Sequence, residues 1–531
     1  MRAADVIASR LQAQGCRYAF GMPGGEVLTL LDALQKVGIE FVLCRHENAA
    51  GFMAEGTYHR TGAPGILVAT VGPGALNAVN VVENARQDRV PMIVLTGCVD
   101  ADTAQTYTHQ VLDQRRVFEA VSKASFTLSA GAAHVIIDKA IGIALEGRPG
   151  PVHIDVPISV ADASASGEGV LRHPAGPVAA AGSELQAARA ALSAAQRPLI
   201  MAGVDVLDQP EAVRLAAETL QAPVITTYKA KGVLPEDQPN ALGGAGLSPK
   251  ADEILLPLVR QADVILAIGY DPIEMRIGWR APWDTPRQVV IDVTAEPNHH
   301  YMHQATHSFV GDPLESVKAL LPDRTLEDVW PHDDVAQTKL KLQSAFQKGD
   351  NWGPAQAIWT CRDCLPEDTL ATADSGAHRI LLSQMWTCTF PRALVQSSGF
   401  CTMGCAVPLA MGMQIVEPDR TVVSFSGDAG FLMVVGELAT AAERRLKTIF
   451  VVFDDASLAL IELKQRGRQL TNVGVDFDGT DAAAVGRAFG GKGFTVSSEQ
   501  ELREALAEAQ SSDCFSVIAV QIDRKAYDGA F

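Results

Sequence analysis

Residues 421–428, TVVSFSGD, and residues 448–455, TIFVVFDD, are two short apolar runs that each end in an acidic residue. Runs of this kind, rich in Val, Ile and Leu, alternate with longer segments of helical periodicity almost throughout the chain. They are apolar on both faces, as strands of a parallel sheet covered by helices must be. The pattern therefore predicts an α/β fold with doubly wound parallel sheets. The other clear runs are GILVATVG (65–72), PMIVLTG (91–97), VHIDVP (152–157), PLIMAGV (198–204), DVILAIGY (263–270), QVVIDV (288–293) and SVIAVQI (516–522).

The composition excludes some classes of partner. The chain has 531 residues and a formal net charge of −18, which argues against nucleic acid and anionic membranes, since both need clustered Lys and Arg. No window holds 18 consecutive apolar residues, and the N-terminal segment lacks the apolar core of a secretory signal. We therefore expect a cytoplasmic protein with small-molecule substrates.

Two segments interrupt the alternation of strands and helices. Residues 161–182 are rich in Ala, Gly and Ser, and residues 323–354 are charged and contain Pro331 and Pro354. Interpreted as linkers, they divide the chain into three α/β domains. The predicted domains are 1–162, 183–325 and 355–531, and the first and third have a similar layout.

The acids that end the two quoted runs allow three interpretations. Asp428 and Asp454 are turn or helix-cap residues in the simplest one, because Asp favours both positions. A dinucleotide site would need G-x-G-x-x-G between strand and helix, and neither this turn nor residues 21–25, GMPGG, supplies it. The third interpretation is a divalent cation that bridges a diphosphate, because the carboxyl ends of neighbouring parallel strands converge and Mg²⁺ takes carboxylate and phosphate oxygens.

The spacing of these acids resembles the cofactor motif of thiamine-diphosphate enzymes, in which a Gly-Asp-Gly turn is followed, one strand later, by Asn-Asn. Here residues 427–429 read Gly-Asp-Ala and residues 454–455 read Asp-Asp, so both parts depart from the motif. Because two carboxylates already match the charge of Mg²⁺, we expect weaker cofactor retention than with Asn at position 455. The resemblance implies that the metal ligands are Asp428, Asp455 and the backbone carbonyl of Ser457, with Gly427 and Ala429 against the cofactor.

A second signature is residues 44–54, CRHENAAGFMA. An acid that opens a helix is often only a favourable first-turn carboxylate. The resemblance instead makes Glu47 the activator, which would hydrogen-bond N1′ of the aminopyrimidine and promote removal of the C2 proton. Residues 70–77, 374–378 and 397–408 match the family in the same order, although Met403 alone would be read as a core residue. The cofactor contacts that these stretches imply are Thr70, Pro73, Asn77, Gly376, His378, Cys401 and Met403.

Within the family, the chain is most similar to acetolactate synthases of the catabolic, FAD-independent branch. Residues 107–113, YTHQVLD, and residues 268–274, IGYDPIE, carry this resemblance. It implies decarboxylation of a 2-keto acid such as pyruvate and ligation to a second carbonyl. Gln110 would hydrogen-bond the developing alkoxide and His109 would relay protons, unless both are surface residues of the loop. Residues 269–276 lack the arginine-rich loop of the FAD-binding branch, which argues against FAD.

Two residues leave open the type of reaction and the identity of the carbonyl compound that accepts the acyl unit. Gly25 follows Pro23-Gly24 where the simple decarboxylases of the family carry an acid, which argues against plain decarboxylation. Glu26 occupies a position where catabolic acetolactate synthases have a lysine, and a carboxylate there would repel a second pyruvate. The alternative is therefore another thiamine-diphosphate decarboxylase, C–C lyase or acyltransferase with a non-pyruvate acceptor.

Other classes of function fit the sequence less well. A non-catalytic homologue would not need Glu47, and a nicotinamide oxidoreductase would need the missing glycine fingerprint. In the family resembled, the cofactor lies between the first domain of one subunit and the third domain of another. The resemblance thus implies a homodimer or homotetramer with active sites at the subunit interface.

Overall fold

The computed structural model describes residues 1–165 and 176–531. In this part of the chain, eighteen strands form three six-stranded sheets. Every pairing between neighbouring strands is parallel, and helices cover the sheets. The predicted α/β fold with three doubly wound parallel sheets is confirmed.

The first sheet has the strand order β2-β1-β3-β4-β6-β5. Its central strands are fully buried, as their uniformly apolar sequences predict. The strands are β1 Tyr18–Met22, β2 Glu40–Leu43, β3 Gly65–Ala69, β4 Met92–Cys98, β5 Ala124–Thr127 and β6 Pro151–Pro157. The helices are α1 Ala3–Ala13, α2 Leu28–Lys36, α3 Glu47–Thr61, α4 Pro73–Asn77, α5 Val79–Gln87, α6 Gln114–Glu119, α7 Ala133–Leu145 and α8 Ile158–Asp162.

The second sheet has the order β12-β11-β10-β7-β8-β9. The strands are β7 Pro198–Ala202, β8 Val224–Thr227, β9 Ala241–Ala245, β10 Val264–Ile268, β11 Val289–Thr294 and β12 His307–Val310. The helices are α9 Glu184–Ala194, α10 Pro210–Leu220, α11 Pro249–Gln261, α12 Pro313–Leu320 and α13 Asp334–Ala345. Helix α13 packs on α11, although the sequence around it was interpreted as a linker.

The third sheet has the order β14-β13-β15-β16-β18-β17. The strands are β13 Leu370–Ala373, β14 Leu394–Gln396, β15 Val422–Gly427, β16 Ile449–Asp454, β17 Lys492–Val496 and β18 Ser516–Gln521. The helices are α14 Pro354–Cys364, α15 Ala377–Met385, α16 Ala406–Val416, α17 Asp428–Met433, α18 Leu438–Glu443, α19 Ala459–Gly467, α20 Ala482–Ala488 and α21 Glu499–Gln510.

The first and third sheets share one topology. If the strands of each are numbered in chain order, both read 2-1-3-4-6-5. The strands that carry the quoted acids, β15 and β16, are direct neighbours with Gly427 opposite Phe453. Their carboxyl ends therefore bring Asp428 and Asp455 to one edge of the sheet, as the sequence predicted.

Helices α3 and α16 join the first domain to the third. Gly56 and Gly412 allow the two backbones to approach closely, since a Cβ on Gly412 would lie 2.1 Å from the Met53 carbonyl oxygen. A Cβ on Gly56 would lie 2.4 Å from the Leu409 carbonyl oxygen. Both helices belong to one continuous apolar core that spans the two domains.

The domain boundaries at 162, 183, 325 and 355 remain sequence-based predictions. Residues 166–175, inside the first predicted linker, lie outside the described residues. In the described ranges, no helix is long and apolar enough to cross a membrane.

Candidate active site

A cavity of about 200 Å³ opens at the carboxyl ends of β13, β15 and β16 in the third domain. Its walls contain every third-domain residue that the sequence assigned to cofactor or metal. These residues are Gly376, His378, Cys401, Met403, Gly427, Asp428, Ala429, Asp455 and Ser457. The structure thus brings together nine residues that come from four separate stretches of sequence.

Three helices begin at this cavity. Gly376 precedes α15, Gly427 precedes α17, and residues 457–461 include the first turn of α19. The N-terminus of a helix presents unpaired N–H groups and a partial positive charge, which favour an anion. The cavity is therefore suited to a diphosphate.

Several buried polar atoms in the cavity wall have no hydrogen-bond partner within the described residues. Within the described residues, the Ser375 hydroxyl, Nε2 of His378 and the Ser457 hydroxyl are buried without a hydrogen-bond partner. Buried polar groups are normally satisfied, so these orphaned atoms indicate a missing polar group. Burial, followed by the charge of Arg379, lowers the pKa of His378 to about 3, so its ring is a neutral donor or acceptor.

Asp428 and Asp455 form the acidic end of the cavity. Burial raises the pKa of Asp428 to about 6, and burial together with the Asp428 charge raises the pKa of Asp455 to about 8. The Ser457 N–H donates to Asp455 Oδ1 at 2.9 Å, which holds this loop in place. A divalent cation would relieve the repulsion between the two carboxylates.

The donor set fits Mg²⁺ rather than a transition metal. No group of three or more His, Cys, Asp or Glu side chains suited to a metal occurs in the described residues. Two carboxylates and a backbone carbonyl, completed by phosphate oxygens and water, are typical of Mg²⁺. The residues present thus fit both the diphosphate and the metal that the sequence predicted.

The loop that carries Cys401 and Met403 is fixed by a buried acid. Asp374, which is fully buried, accepts hydrogen bonds from the Gly404 N–H at 2.9 and 3.0 Å. It also accepts from the Ser375 N–H at 2.7 Å, so one carboxylate holds two walls of the cavity. Cys401 has a left-handed backbone, with φ of 55°, which turns the chain before Met403. Asp374 lies in the stretch 374–378 that matches the family, but it was not among the predicted site residues.

The second group of predicted residues lies on the first domain. Glu47 is the first residue of α3 and is only 4% exposed. The Asn77 side-chain amide donates to Glu47 Oε2 at 3.0 Å. The Thr70 hydroxyl donates to Glu26 Oε2 at 2.5 Å. A Cβ placed on Gly74 would meet both Thr70 and Glu47, so these residues form one cluster.

The remaining predicted residues of the first domain are exposed. Gly25 opens a 3₁₀ turn, and Pro73 is the first residue of α4. Gln110 has a left-handed backbone and lies against Gly72, since a Cβ on that glycine would be 3.4 Å from Gln110 Cβ. His109 is exposed and packs edge-on against the ring of Tyr107 at 6.2 Å. Both side chains are thus exposed, and Gln110 lies against Gly72, two residues before Gly74 of the cluster.

Gln114 holds part of this site in place but was not predicted from the sequence. It is buried at the start of α6 and accepts a 2.6 Å hydrogen bond from the Gly72 N–H. Its amide donates to Asp155 Oδ1 at 2.7 Å and to the Gly97 carbonyl at 3.0 Å. Gln114 thereby ties the turn before Pro73 to the sheet. An isolated glutamine after a loop gave no signal of this role.

The two groups of residues form separate parts of a site. The third-domain cavity has no wall residue from the first domain. Exposed apolar side chains lie beside both groups, in the same helices and loops as the predicted residues. They are Leu76, Tyr107, Val111 and Leu112 in the first domain and Phe400, Met433 and Ile461 in the third.

Family profiles match most of the chain. The thiamine pyrophosphate enzyme N-terminal TPP binding domain matches residues 1–117, the central domain matches residues 185–320, and the C-terminal TPP binding domain matches residues 374–520. The chain belongs to the thiamine pyrophosphate enzymes, as its sheets and cavity indicate.

Several curated relatives match nearly the whole chain, and acetolactate synthases are prominent among them. Acetolactate synthase of Bacillus subtilis is 29% identical over 98% of this chain and 93% of its own length. Acetolactate synthase isozyme 2 large subunit of Escherichia coli is 30% identical over 98% of this chain and 96% of its own length. A probable 2-ketoarginine decarboxylase of Pseudomonas aeruginosa is 28% identical over 92% of this chain and 88% of its own length. The prediction of an acetolactate synthase-like, thiamine-diphosphate-dependent carboligase is confirmed.

Proposed function

We propose that this enzyme decarboxylates a 2-keto acid such as pyruvate and joins the remaining acyl unit to a second carbonyl compound. Thiamine diphosphate and Mg²⁺ would bind in the third-domain cavity of one copy, facing the first domain of another. The observation that carries the proposal is the convergence of nine predicted residues and three helix N-termini on one cavity. Absence of FAD and a cytoplasmic location remain predictions from the sequence.

Each domain contributes a different part of the chemistry. When bound, thiamine diphosphate supplies a nucleophilic C2 carbon and accepts the electron pair released with carbon dioxide. Asp428, Asp455 and the Ser457 carbonyl would hold Mg²⁺, and the N-termini of α15 and α17 would hold the diphosphate. The Cys401 carbonyl would accept a hydrogen bond from the aminopyrimidine, and Met403 would support the cofactor from below.

The first domain supplies the proton transfers. Glu47 would exchange a proton with N1′ of the aminopyrimidine, and Asn77 orients this carboxylate through its 3.0 Å hydrogen bond. Thr70 and Pro73 would border the pyrimidine ring. Gln110 would donate a hydrogen bond to oxygen on the substrate carbon, with His109 as a proton relay.

A second copy of the chain would complete each site. The cavity has no wall residue from the first domain, which carries Glu47, and exposed apolar side chains occur near both in the described chain. Apolar patches of this kind on a large enzyme mark association surfaces. We therefore infer a homodimer or a homotetramer.

Incubation with thiamine diphosphate, Mg²⁺ and a panel of 2-keto acids tests the proposal directly. We expect release of carbon dioxide from pyruvate and a ligation product that mass spectrometry detects. An absence of both, in protein that binds the cofactor, would exclude the proposed reaction for that substrate. Protein that fails to bind the cofactor at saturating Mg²⁺ would contradict the cofactor assignment itself.

Glu26 favours a second candidate for the substrates. Its carboxylate lies beside Thr70 in the first-domain cluster and would repel an anionic acceptor. An aldehyde or ketone acceptor, or a donor with a cationic side chain, would fit better, and one relative is named a probable 2-ketoarginine decarboxylase. The panel should therefore include pyruvate with acetaldehyde, and 2-ketoarginine.

We expect Glu26→Lys, with Glu26→Gln as the uncharged control, to increase acetolactate formation from pyruvate alone. No increase would show that Glu26 does not select the acceptor.

A further inference from the structure

Helix α5 of the first domain contacts residues 397–404 of the third domain, the loop that follows β14. Three polar side chains make these contacts, and their spacing of four residues places them along one side of the helix. They are Asn80, Asn84 and Asp88, the last of which directly follows the helix. The same loop carries Cys401 and Met403, so α5 reaches the predicted cofactor site from a side that the sequence motifs do not indicate.

Asp88 makes the central contact. Its Oδ1 accepts hydrogen bonds from the N–H groups of Ser398 and Gly399, at 3.1 and 2.9 Å. Nζ of Lys229, in the second domain, lies 3.2 Å from the same oxygen and donates to the Gln396 carbonyl, also at 3.2 Å. Asp88 is only 2% exposed. One buried carboxylate therefore joins all three domains at the start of the loop.

The two asparagines hold the loop on either side of this point. The Ser397 hydroxyl donates to Asn84 Oδ1 at 2.5 Å, and the Asn80 amide donates to the Thr402 hydroxyl at 3.2 Å. The Asn84 amide also donates to Asp88 Oδ2 at 3.2 Å. The three side chains of α5 thus form one set of anchors that extends from the first residue of the loop to Thr402.

Gly399 brings the loop against the last turn of α5. A Cβ on Gly399 would lie 2.7 Å from Gln87 Cβ and 3.3 Å from the Gln87 carbonyl carbon. Two residues later, Cys401 has its left-handed backbone, and its carbonyl is the predicted acceptor for the aminopyrimidine. Because the chain is anchored on both sides of this turn, the position of the Cys401 carbonyl depends on α5.

We propose that Asp88 is a positioning residue of the cofactor site. Together with the two asparagines, it fixes the loop so that the Cys401 carbonyl and Met403 lie where the aminopyrimidine ring would bind. A carboxylate suits this role, because a charged acceptor makes stronger hydrogen bonds to N–H groups than a neutral one. The inference rests on the proposed function, because it assumes that thiamine diphosphate binds against this loop.

Two ligands that differ in size test this role. Inorganic pyrophosphate with Mg²⁺ needs only the helix N-termini and the metal ligands, whereas thiamine diphosphate with Mg²⁺ also needs the loop. Calorimetry on the full-length protein measures both affinities. We expect Asp88→Ala to weaken binding of thiamine diphosphate about tenfold, as the loss of a hydrogen bond to a charged group would. Its affinity for pyrophosphate should change by less than about twofold, whereas a general distortion of the third domain would weaken both.

Further variants separate positioning from folding. Asp88→Asn keeps an oxygen acceptor for the two N–H groups and should recover part of the lost affinity. Asn80→Ala, at a half-buried position, removes the bond to Thr402 and should weaken binding of thiamine diphosphate about threefold. Arg86→Ala is the control, because Arg86 is exposed on the same helix and pairs with Glu83. It should bind both ligands as the wild type does.

The outcomes separate this inference from the proposed function. Unchanged affinity for thiamine diphosphate in Asp88→Ala, or an equal loss for both ligands, would overturn the inference. If Asp88→Ala does not fold, as its thermal unfolding would show, Asn80→Ala decides by the same two criteria. A wild type that does not bind thiamine diphosphate with Mg²⁺ would contradict the proposed function and this inference with it. Normal wild-type binding with unaffected variants would contradict only this inference.

Discussion

The first and third domains have the same strand order and use it for different chemistry. In the first, the segments that follow β2 and β3 carry the side chains Glu47 and Thr70. In the third, the segments that follow the equivalent strands β14 and β15 carry Met403 and Asp428. The strand order determines where these segments lie, and their residues determine which part of the cofactor they could bind.

The equivalent helices α3 and α16 show the same division. α3 carries the ionisable residues Glu47, Glu55 and His59 in its buried face. α16, AVPLAMGMQIV, contains no ionisable residue. The first domain thus places ionisable side chains in the buried face of this helix, while the equivalent helix of the third domain is apolar. The variants below test this contrast, from the largest expected effect to the smallest.

Glu47→Gln should lower turnover about 10²- to 10⁴-fold, because the amide cannot exchange a proton with the aminopyrimidine. Affinity for thiamine diphosphate with Mg²⁺ should change little, since the cavity belongs to the third domain. Steady-state rates and calorimetry measure the two quantities separately. Glu327→Gln, at an exposed position between the predicted second and third domains, is the matched control. Unchanged turnover would remove Glu47 from the mechanism.

Asp428→Asn should give the opposite result, a loss of binding. We expect Mg²⁺-dependent affinity for thiamine diphosphate to fall about 100-fold, because position 428 carries the acid of the family motif, whereas position 455 carries Asn in that motif. Titration with Mg²⁺ at fixed thiamine diphosphate, followed by tryptophan fluorescence, measures this. Asp419→Asn, on the exposed surface of the same domain, should bind normally. Equal binding in both variants would place the metal elsewhere.

Gly412→Ala tests the joint between the two domains. The new Cβ would lie 2.1 Å from the Met53 carbonyl oxygen, so the helices must separate. Overpacking of this kind costs about 1–3 kcal/mol, which should lower the midpoint of thermal unfolding. Gly131→Ala is the control, because nothing lies within 4 Å of its added Cβ. Equal midpoints would show that α3 and α16 can move apart freely.

Glu55→Gln should change the pH dependence of stability. Burial is the main cause that raises the pKa of Glu55 to about 8. A folded-state pKa above the unfolded value means that stability is complete at low pH and declines as the pH rises toward 8. We expect a decline on the order of 1 kcal/mol, since the protein relaxes around a buried charge. Glu55→Gln should not show this decline in stability when thermal unfolding is measured between pH 5 and 8. The same pH dependence in wild type and variant would contradict a raised pKa of Glu55.

Most of the fold could be predicted because its strands are apolar on both faces. The nine strand-forming runs of the sequence all became strands, with β15 and β16 as direct neighbours. Helix α13 was missed, since its charged sequence between prolines resembles a linker until it packs on α11. Residues 166–175 lie outside the described part of the chain, so the first linker stays a prediction.

The third-domain cavity was predictable because its residues come from short contiguous motifs. Asp374 and Gln114 were not predicted, because the role of each depends on a partner that is distant in the sequence. Asp374 holds Gly404, thirty residues away, and Gln114 holds Gly72 across a loop. Tyr527 also lines the cavity, and it follows β18, which pairs with β16. The roles of the individual site residues remain predictions, which the variants above address.

The contact at Gly56 and Gly412 has one more consequence. Where two helices touch through their main chains, no flexible side chain separates them that could absorb a small displacement. A tilt of α16 would therefore be transmitted to α3, whose first residue is Glu47. The position of the Glu47 carboxylate is therefore coupled mechanically to the packing of the third-domain core.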